Sequence, residues 1–444
     1  MMTSSSRSDC QSAVAMPDYD RVLNNITVLL LADSETHFIE KRFIMSKLVK
    51  RIQRFNAGRE PERLAMKYRR MRESAFVYLR ATCHLFPGQL PELKTLAKSP
   101  AIWSCGDLHL ENFGSYKGDN RLTYFDINDF DESALIPASW DIVRLLTSVR
   151  LACAELEFNA ERVRELIDVL LAAYFQQLHR GNARWIERDT ATGPVHELLA
   201  TVNDRKREDF LDSRSVKQGK MRKLLIDGKK ALAASKDQHA QVGEFMEKFA
   251  KTQSEPEFYE VLDVARRIAG NGSLGVDRFV VLVRGRGSPD NNYLLDLKQA
   301  VPSALSPALA LKQPKWVSEG ERVVALTRRA QAVPVAFLHA VRMNGNDYVL
   351  RDLQPSADRV SFEEKGNDDE QRLNELMLAI GQCTAWSHLR GSGHQGSAIA
   401  DELVAFGSDE SWQKVLRKAS ATCADTIVDE WKTYSEAYDD KAFE

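Results

Sequence analysis

The chain has 444 residues, of which 43% are hydrophobic and 28% charged, and its formal net charge is −2 at pH 7. This length allows two or three lobes with their own cores, and the near-neutral charge gives no reason to expect nucleic acid as a partner. The six cysteines include no C-x-x-C pair and the apolar runs are too short to span a bilayer, so a cytoplasmic protein with no membrane partner is expected.

The first hundred residues predict a tail followed by helices. Residues 1–20 are rich in serine and lack the apolar stretch of a signal peptide, which predicts a disordered tail. Residues 38–55 and 61–82 show basic, amphipathic helical periodicity. Residues 1–100 contain only two glycines, so a glycine-rich nucleotide clamp is not expected there.

Residues 103–132, the acidic segment, contain the strongest functional signal. The segment has two apolar stretches separated by a polar, glycine-containing turn at 115–121. Like charges at this density repel one another, and a divalent cation or a phosphate–metal complex would neutralise them. An acidic surface hairpin is the alternative, but the interleaved aromatic residues favour the edge of a half-buried cleft. Outside the turn, the carboxylates of the segment are Asp107, Glu111, Asp126, Asp129, Asp131 and Glu132.

The spacing of these side chains suits phosphoryl transfer. Asp107 precedes Asn112 by five residues, and Asp126 follows after the turn. A phosphotransferase needs one carboxylate to orient or deprotonate the acceptor, and an amide oxygen with a second carboxylate to hold magnesium on the nucleotide. We therefore predict that Asp107 is catalytic and that Asn112 and Asp126 bind metal, with Asp129 as a further ligand. Zinc is disfavoured because the segment has one histidine and one cysteine.

Two further helices and a basic stretch follow. Trp140–Leu156 and Ala160–Leu178 have helical periodicity. From Arg205 to Lys236 there are eleven Lys or Arg residues against four Asp or Glu residues. A solvated helical face or connector is the default interpretation of such a run, and a surface that attracts a phosphate-rich or otherwise anionic acceptor is the alternative.

A glycine-rich loop occupies residues 270–275, with the sequence GNGSLG. A dinucleotide-binding fold would require a helix to begin at this loop, but Arg278–Val283 is β-branched and aromatic and predicts a strand. Kinases cover the nucleotide phosphates with a glycine loop between two strands. The residues of the loop predicted to bind the nucleotide are Gly270, Gly272, Ser273 and Gly275.

The next predicted strand, Tyr293–Lys298, ends on the lysine expected to bind the phosphates. A helix from about Glu319 to Gln331 follows, with Glu321 in its first turn, and then a strand around Tyr348–Leu350. Kinases pair a glutamate from such a helix with this lysine, so we predict an ion pair between Glu321 and Lys298. A snorkelling lysine and a first-turn glutamate favoured by the helix dipole are the structural alternatives.

These motifs occur in a rotated order relative to an ordinary kinase. The order predicts an α+β, two-lobed, protein-kinase-like fold that is circularly permuted, with a mostly helical large lobe and a small antiparallel β lobe. Helices around 371–389 and 411–440 would close the chain. The expected divisions are a helical region with the catalytic loop and metal turn at 21–255, a β-rich nucleotide-clamp lobe at 256–360, and helices completing the large lobe at 361–444.

The acidic segment resembles part of a known group of kinases. Gly106–Asn112 is similar to the catalytic loop of aminoglycoside and choline kinases, and Phe125–Ile127 is similar to their metal-binding turn. Those kinases usually have histidine before the Gly-Asp pair, where this chain has Cys105. The resemblance implies ATP and magnesium as cofactors.

Most of the chain also resembles a bacterial family named domain of unknown function 2252, on the stretches Lys67–Arg80, Cys105–Glu132, Ser139–Leu145, Gly272–Gly275 and Leu297–Ala300. The family name implies no reaction. We therefore expect an ATP- and magnesium-dependent phosphotransferase whose acceptor bears a hydroxyl and is a small molecule rather than a protein. A nucleotide-binding pseudokinase or regulatory module and a nucleotidyltransferase are the alternatives.

Overall fold

The computed structural model describes residues 41–354, 362 and 369–443. Within them the chain is a mixed α+β protein whose paired strands are antiparallel, as predicted. The expected tail at 1–20 lies outside the described residues.

The helices before the acidic segment follow the predicted periodicity, with one interruption. Helix α1 covers residues 41–55, and the predicted helix at 61–82 is divided into α2 (Pro61–Met71) and α3 (Ala75–Ala81). Ser74 lies between α2 and α3 with an extended backbone, and its hydroxyl accepts a hydrogen bond from a first-turn amide of α3 at 3.2 Å. A serine in this N-cap role starts a new helix, which explains the division.

The other α-helices supply most of the core. Gly381 lets two of them approach closely, because a Cβ atom there would lie 2.4 Å from the carbonyl oxygen of Leu170. In the described part of the chain, none of the helices is both long enough and apolar enough to cross a lipid bilayer. These helices are α4 (Phe86–Gln89), α5 (Leu93–Leu96), α6 (Ala138–Glu155), α7 (Ala160–Arg180), α8 (Gly193–Asp204), α9 (Arg207–Asp212), α10 (Lys236–Ala250), α11 (Glu319–Ala330), α12 (Asp369–Arg390), α13 (Ala400–Ser408) and α14 (Ser411–Asp439).

The strands form one six-stranded sheet and three smaller sheets. The order in the large sheet is β12-β13-β11-β10-β9-β8, and the small sheets pair β1 with β4, β2 with β3 and β5, and β6 with β7. The strands are β1 (Ala101–Ser104), β2 (Phe113–Lys117), β3 (Thr123–Ile127), β4 (Ala134–Pro137), β5 (Ile186–Glu187), β6 (Ser215–Gln218), β7 (Met221–Leu224), β8 (Ala231–Ala233), β9 (Val261–Arg267), β10 (Arg278–Val283), β11 (Tyr293–Gln299), β12 (His339–Met343) and β13 (Asn346–Asp352).

The predicted helical structure at 205–236 is wrong, whereas most residues of the stretch are exposed, as predicted for a solvated face. This stretch contains the short helix α9 and the strands β6, β7 and β8, and β8 joins the large sheet upstream of residue 256. The strand pattern is hidden in the sequence because β7 turns Arg222 inward, where it pairs with Asp212 and Asp290, and leaves Met221 half exposed.

Strand β11 divides its side chains between the two faces of the large sheet. Leu295 and Leu297 pack into the same cluster as α10, whereas Leu294 packs with residues of α9 and β7 on the opposite face. Because side chains alternate along a strand, Asp296 and Lys298 share the face of Leu294. The predicted lysine thus lies on the side of the sheet opposite α10.

Strands β1 and β4 hold the two ends of the acidic segment together. They pair from Ala101 with Pro137 to Ser104 with Ala134. The loop after β1 and the loop before β4 must therefore lie side by side. The hairpin of β2 and β3 lies between these loops in the sequence, and its turn follows Lys117.

Candidate functional site

The two loops of the acidic segment meet the glycine loop in one pocket, which we call the acidic cleft. Its lining includes residues from three regions that are far apart in the sequence: the loop after β1, the loop before β4 and the glycine loop between β9 and β10. The predicted site residues found in this lining are Asp107, Asn112, Asp129, Gly270, Gly272 and Ser273.

Asp107 is held by a buried arginine. Its Oδ1 accepts a hydrogen bond from Nε of Arg144 at 2.7 Å and another from Nη2 of the same residue. Its Oδ2 lies 3.8 Å from Nε2 of His109. Burial raises the pKa of Asp107, and the charge of Arg144 opposes that shift. The result is a carboxylate with one fixed oxygen, in a pocket that favours proton uptake more than water does.

Asn112 is oriented by the backbone of the same loop. Its amide nitrogen donates to the carbonyl oxygen of Asp107 at 2.5 Å. This bond uses the donor end of the side chain, and the oxygen end is then the part suited to a cation. The role of Asn112 as an oxygen ligand stays a prediction.

Lys298 reaches from the sheet into the acidic segment. Its Nζ lies 3.8 Å from the carboxylate of Asp129 and also contacts the carboxylate of Asp131. Only 4% of the residue is exposed, and this burial lowers the pKa of Lys298 to about 8 while Asp129 opposes the shift. The lysine therefore joins the large sheet to the loop before β4.

Asp126 does not line the acidic cleft. It lies within β3 opposite Gly114, and its Oδ2 accepts a hydrogen bond from Nη2 of Arg390 at 2.7 Å while Oδ1 accepts one from the next backbone amide at 2.9 Å. The position in the strand determines where its side chain points, whereas Asp129 and Asp131 follow the strand in a loop that faces the cleft. Asp129 and Asp131 thus occupy the place that we predicted for Asp126.

The ion pair predicted between Glu321 and Lys298 is not formed in the described part of the chain. Ser318 caps α11, which makes Glu321 the third residue of the helix, and its Oε2 accepts a hydrogen bond from the amide of Val317 at 3.1 Å. A glutamate at this position turns back over the helix start. The next residue, Arg322, points inward instead and donates to the carbonyl oxygen of Asp131 at 2.9 Å.

Two cations from the N-terminal region, Arg59 in the turn before α2 and Lys67 on α2, fix the glycine loop. Nη1 of Arg59 and Nζ of Lys67 donate to the carbonyl oxygen of Gly272 at 2.6 and 2.9 Å. Gly275 has a left-handed φ of +87°, and a Cβ atom there would lie 2.8 Å from Cβ of Arg59. Burial lowers the pKa of Lys67 well below its usual range. Sequence reasoning missed both cations, although Lys67 begins one of the stretches shared with the bacterial family.

Further cations, also unassigned from the sequence, neutralise other carboxylates of the acidic segment. Arg80 pairs with Glu111 at 2.5 Å, beside the Arg144 pair of Asp107 and the Arg390 pair of Asp126. Each of these arginines comes from a helix outside the segment: Arg80 from α3, Arg144 from α6 and Arg390 from α12. The density of acids predicted that cations must be present, but it did not indicate which ones.

The cleft has the oxygen ligands that magnesium prefers. Among the described residues, no group of three or more His, Cys, Asp or Glu side chains is arranged to hold a metal ion by itself. Magnesium bound with a nucleotide usually takes one or two carboxylates and completes its shell with phosphates and water. Asn112, Asp129 and Asp131 line one pocket, so their chemistry fits an ion that arrives with a nucleotide.

Comparison with known proteins gives a family but no reaction. The family model described as "Uncharacterized protein conserved in bacteria (DUF2252)" matches residues 59–437, and the chain therefore belongs to this family. No curated protein and no solved structure matches the chain. The matched range includes Arg59, the acidic segment, the glycine loop and Lys298, so the family covers the whole cleft.

Proposed function

We propose that this member of the DUF2252 family is an ATP- and magnesium-dependent phosphotransferase that acts on a hydroxyl-bearing small molecule. The observation that carries the proposal is the composition of the acidic cleft, where Asp107, Asn112 and Asp129 line one pocket with the glycine loop. Lys298 reaches Asp129 from the neighbouring sheet. A base, oxygen ligands for magnesium, a glycine loop and a lysine are the parts that phosphoryl transfer requires.

A circularly permuted, kinase-like fold is part of this proposal. Along the chain, the glycine loop joins β9 to β10, Lys298 lies on β11, and α11 follows before β12 and β13. Protein kinases arrange their glycine loop, lysine strand and adjoining helix in the same order. In those kinases the catalytic loop comes after this unit, whereas here the acidic segment comes before it. The shared order supports the kinase-like interpretation, and the position of the acidic segment supports the permutation.

Asp107 acts as the proton acceptor in the proposed reaction. The acceptor oxygen forms a bond to the γ-phosphorus of ATP, the bond from that phosphorus to the β,γ-bridging oxygen breaks, and ADP leaves. Asp107 takes the proton of the acceptor hydroxyl at Oδ2, while Arg144 keeps Oδ1 in place. Burial raises the pKa of Asp107, which strengthens it as a base.

The remaining residues bind and orient the triphosphate. Lys298 exchanges its contact with Asp131 for the phosphate oxygens, and backbone amides of the glycine loop cover them. Asn112, Asp129 and Asp131 would hold magnesium, which supplies positive charge to the phosphates when bound. Arg59 and Lys67 act indirectly, because they donate hydrogen bonds to the carbonyl oxygen of Gly272 and so position the glycine loop.

A nucleotide-binding module without turnover is the second candidate. It is favoured by the ion pairs of Asp107 with Arg144 and of Asp131 with Lys298, since a carboxylate that keeps its cation is a weaker base and a weaker metal ligand. Nucleotidyl transfer is the third candidate, because the same residues could act on the α-phosphate.

Labelled ATP separates these candidates. The protein is incubated with magnesium and ATP labelled at either the γ or the α phosphate, together with a deproteinised bacterial metabolite extract. We expect the γ label to appear in an organic product with wild-type protein and not with the Asp107→Asn variant. Movement of the α label would indicate nucleotidyl transfer, and ATP binding without movement of either label would indicate the regulatory module.

A further inference from the structure

A second cavity is lined in part by the β2–β3 hairpin. It measures about 250 Å³ and is bounded by the end of β2, the segment around α9, the start of β11 and the residues after β13. None of its lining residues in the described part of the chain lines the acidic cleft. We call it the basic cavity.

The basic cavity has a strong excess of positive charge. Among its described lining residues, six are lysine or arginine, and Asp352 is the one carboxylate. The cations come from separate parts of the chain, which folding brings to one concave surface. They are Lys117, Arg121, Arg205, Lys206, Arg207 and Arg286.

Aromatic rings hold two of these cations without neutralising them. The guanidinium of Arg207 lies 3.7 Å from the ring centroid of Tyr293 and donates to its hydroxyl at 2.8 Å. The guanidinium of Arg121 lies 4.5 Å from the ring centroid of Phe337. Stacking on a neutral ring orders a guanidinium and leaves its full charge for an external anion.

Three of the other cations also keep their charge. Within the described residues, Lys117, Lys206 and Arg286 form no ion pair with a carboxylate. These three residues thus lack the carboxylate partners that the arginines beside the acidic segment have, and Asp352 is the one described carboxylate that offsets the charge of the cavity. A cavity with this much uncompensated charge is costly unless an anion occupies it or water screens it.

From this geometry we infer that the basic cavity binds a small polyanion carrying at least two phosphate or carboxylate groups. Arginines bind such groups through paired N–H donors, and six cations from separate parts of the chain around a cavity of about 250 Å³ favour a ligand with more than one anionic group. The inference does not depend on phosphoryl transfer. If both hold, the polyanion lies close to the reaction, because Ser115 in the cavity wall follows Asn112 by three residues, which span at most about 10 Å.

The experiment measures binding of inorganic pyrophosphate and, in parallel, of citrate, by calorimetry without metal. The two probes distinguish phosphate from carboxylate ligands. The test variant is Lys117→Ala/Lys206→Ala, which removes two exposed cations of the cavity. The control is Lys220→Ala/Lys229→Ala, which removes the same charge from exposed positions outside the cavity. Lys298→Ala reports on binding in the acidic cleft. Thermal melts of each variant establish that it is folded.

We expect saturable binding of at least one probe to the wild type, weakened about tenfold or more in the test variant, since each lost charge-assisted contact costs on the order of tenfold in affinity. The control variant and Lys298→Ala should bind like the wild type. No saturable binding of either probe would overturn the inference. So would equal weakening in the control, or loss confined to Lys298→Ala, because the charge would then act nonspecifically or in the other site.

Discussion

Nζ of Lys298 lies 3.8 Å from the carboxylate of Asp129, and this contact joins the large sheet to the acidic segment. The two residues belong to motifs that are far apart in the sequence and that were assigned separately to phosphate and metal binding. Their proximity gives the acidic cleft the paired charges that a nucleotide–metal complex needs.

Asp126 and Asp129 should respond differently to substitution. Asp126→Ala leaves Arg390, whose side chain is 14% exposed, without its carboxylate, and removing one partner of a largely buried ion pair destabilises a protein by up to about 3 to 5 kcal/mol. Asp129→Asn should change stability much less but weaken ATP binding in the presence of magnesium. Chemical denaturation and calorimetry measure the two effects. The assignment fails if Asp126→Ala is fully stable and selectively loses nucleotide binding.

Asp107→Asn should separate binding from turnover. The amide keeps the size of the side chain but cannot take the proton of the acceptor, so we expect turnover to fall by about 10² to 10⁴ while ATP affinity changes little. Binding and single-turnover kinetics provide the measurement. A parallel loss of both would mean that Asp107 binds the nucleotide rather than the acceptor proton.

Lys67→Met should loosen the glycine loop from a distance. The variant removes a buried ammonium that donates to Gly272, so amides of residues 270–275 should exchange hydrogen faster and ATP should bind less tightly. Arg69→Ala, an exposed change on the same helix α2, is the matched control. Unchanged exchange in the loop of the Lys67 variant would show that Arg59 is sufficient to hold it.

Binding to the basic cavity should depend on pH through Asp352. Burial raises the pKa of this carboxyl to about 6, although Arg121, Arg207 and Lys117 oppose the shift. Below pH 6 the carboxyl is neutral and no longer repels an anion, so affinity for a polyanion should rise as the pH falls through 6. The Asp352→Asn variant should bind pyrophosphate more tightly than the wild type at pH 7, and its affinity should lack the rise that protonation of Asp352 causes. Because pyrophosphate itself ionises equally in both titrations, the difference between the two pH profiles reports on Asp352. Identical pH profiles would contradict the prediction.

Local patterns predicted the parts of the site that depend on neighbouring residues. The strands around the glycine loop, the lysine on β11 and helix α11 follow from periodicity and β-branched composition, and all are present. Spacing alone could not separate Asp126 from Asp129, because both follow the same turn and only the end of β3 distinguishes them. Glu321 was assigned by analogy, and the cap at Ser318 explains its different orientation.

Long-range contacts could not be predicted from a single sequence. Arg144, Lys67 and Arg390 reach the acidic segment and the glycine loop from helices whose packing is determined by the whole core. The strands at 215–224 were not predicted for a related reason. Arg222 is buried on β7 because it pairs with Asp212 and Asp290. In each case the sequence shows a charged residue but does not show which residue it contacts.

Calorimetric titration with ATP and magnesium is the decisive test of the acidic cleft as a nucleotide site. We expect saturable, magnesium-dependent binding to the wild-type protein. Lys298→Ala should weaken this binding by about tenfold or more, whereas Lys117→Ala/Lys206→Ala should leave it intact. The control Lys248→Ala, whose lysine is exposed and paired with Glu244 on α10, should bind like the wild type. Absence of binding to the wild type, or binding that Lys298→Ala leaves unchanged, would contradict the assignment of the acidic cleft as a nucleotide site.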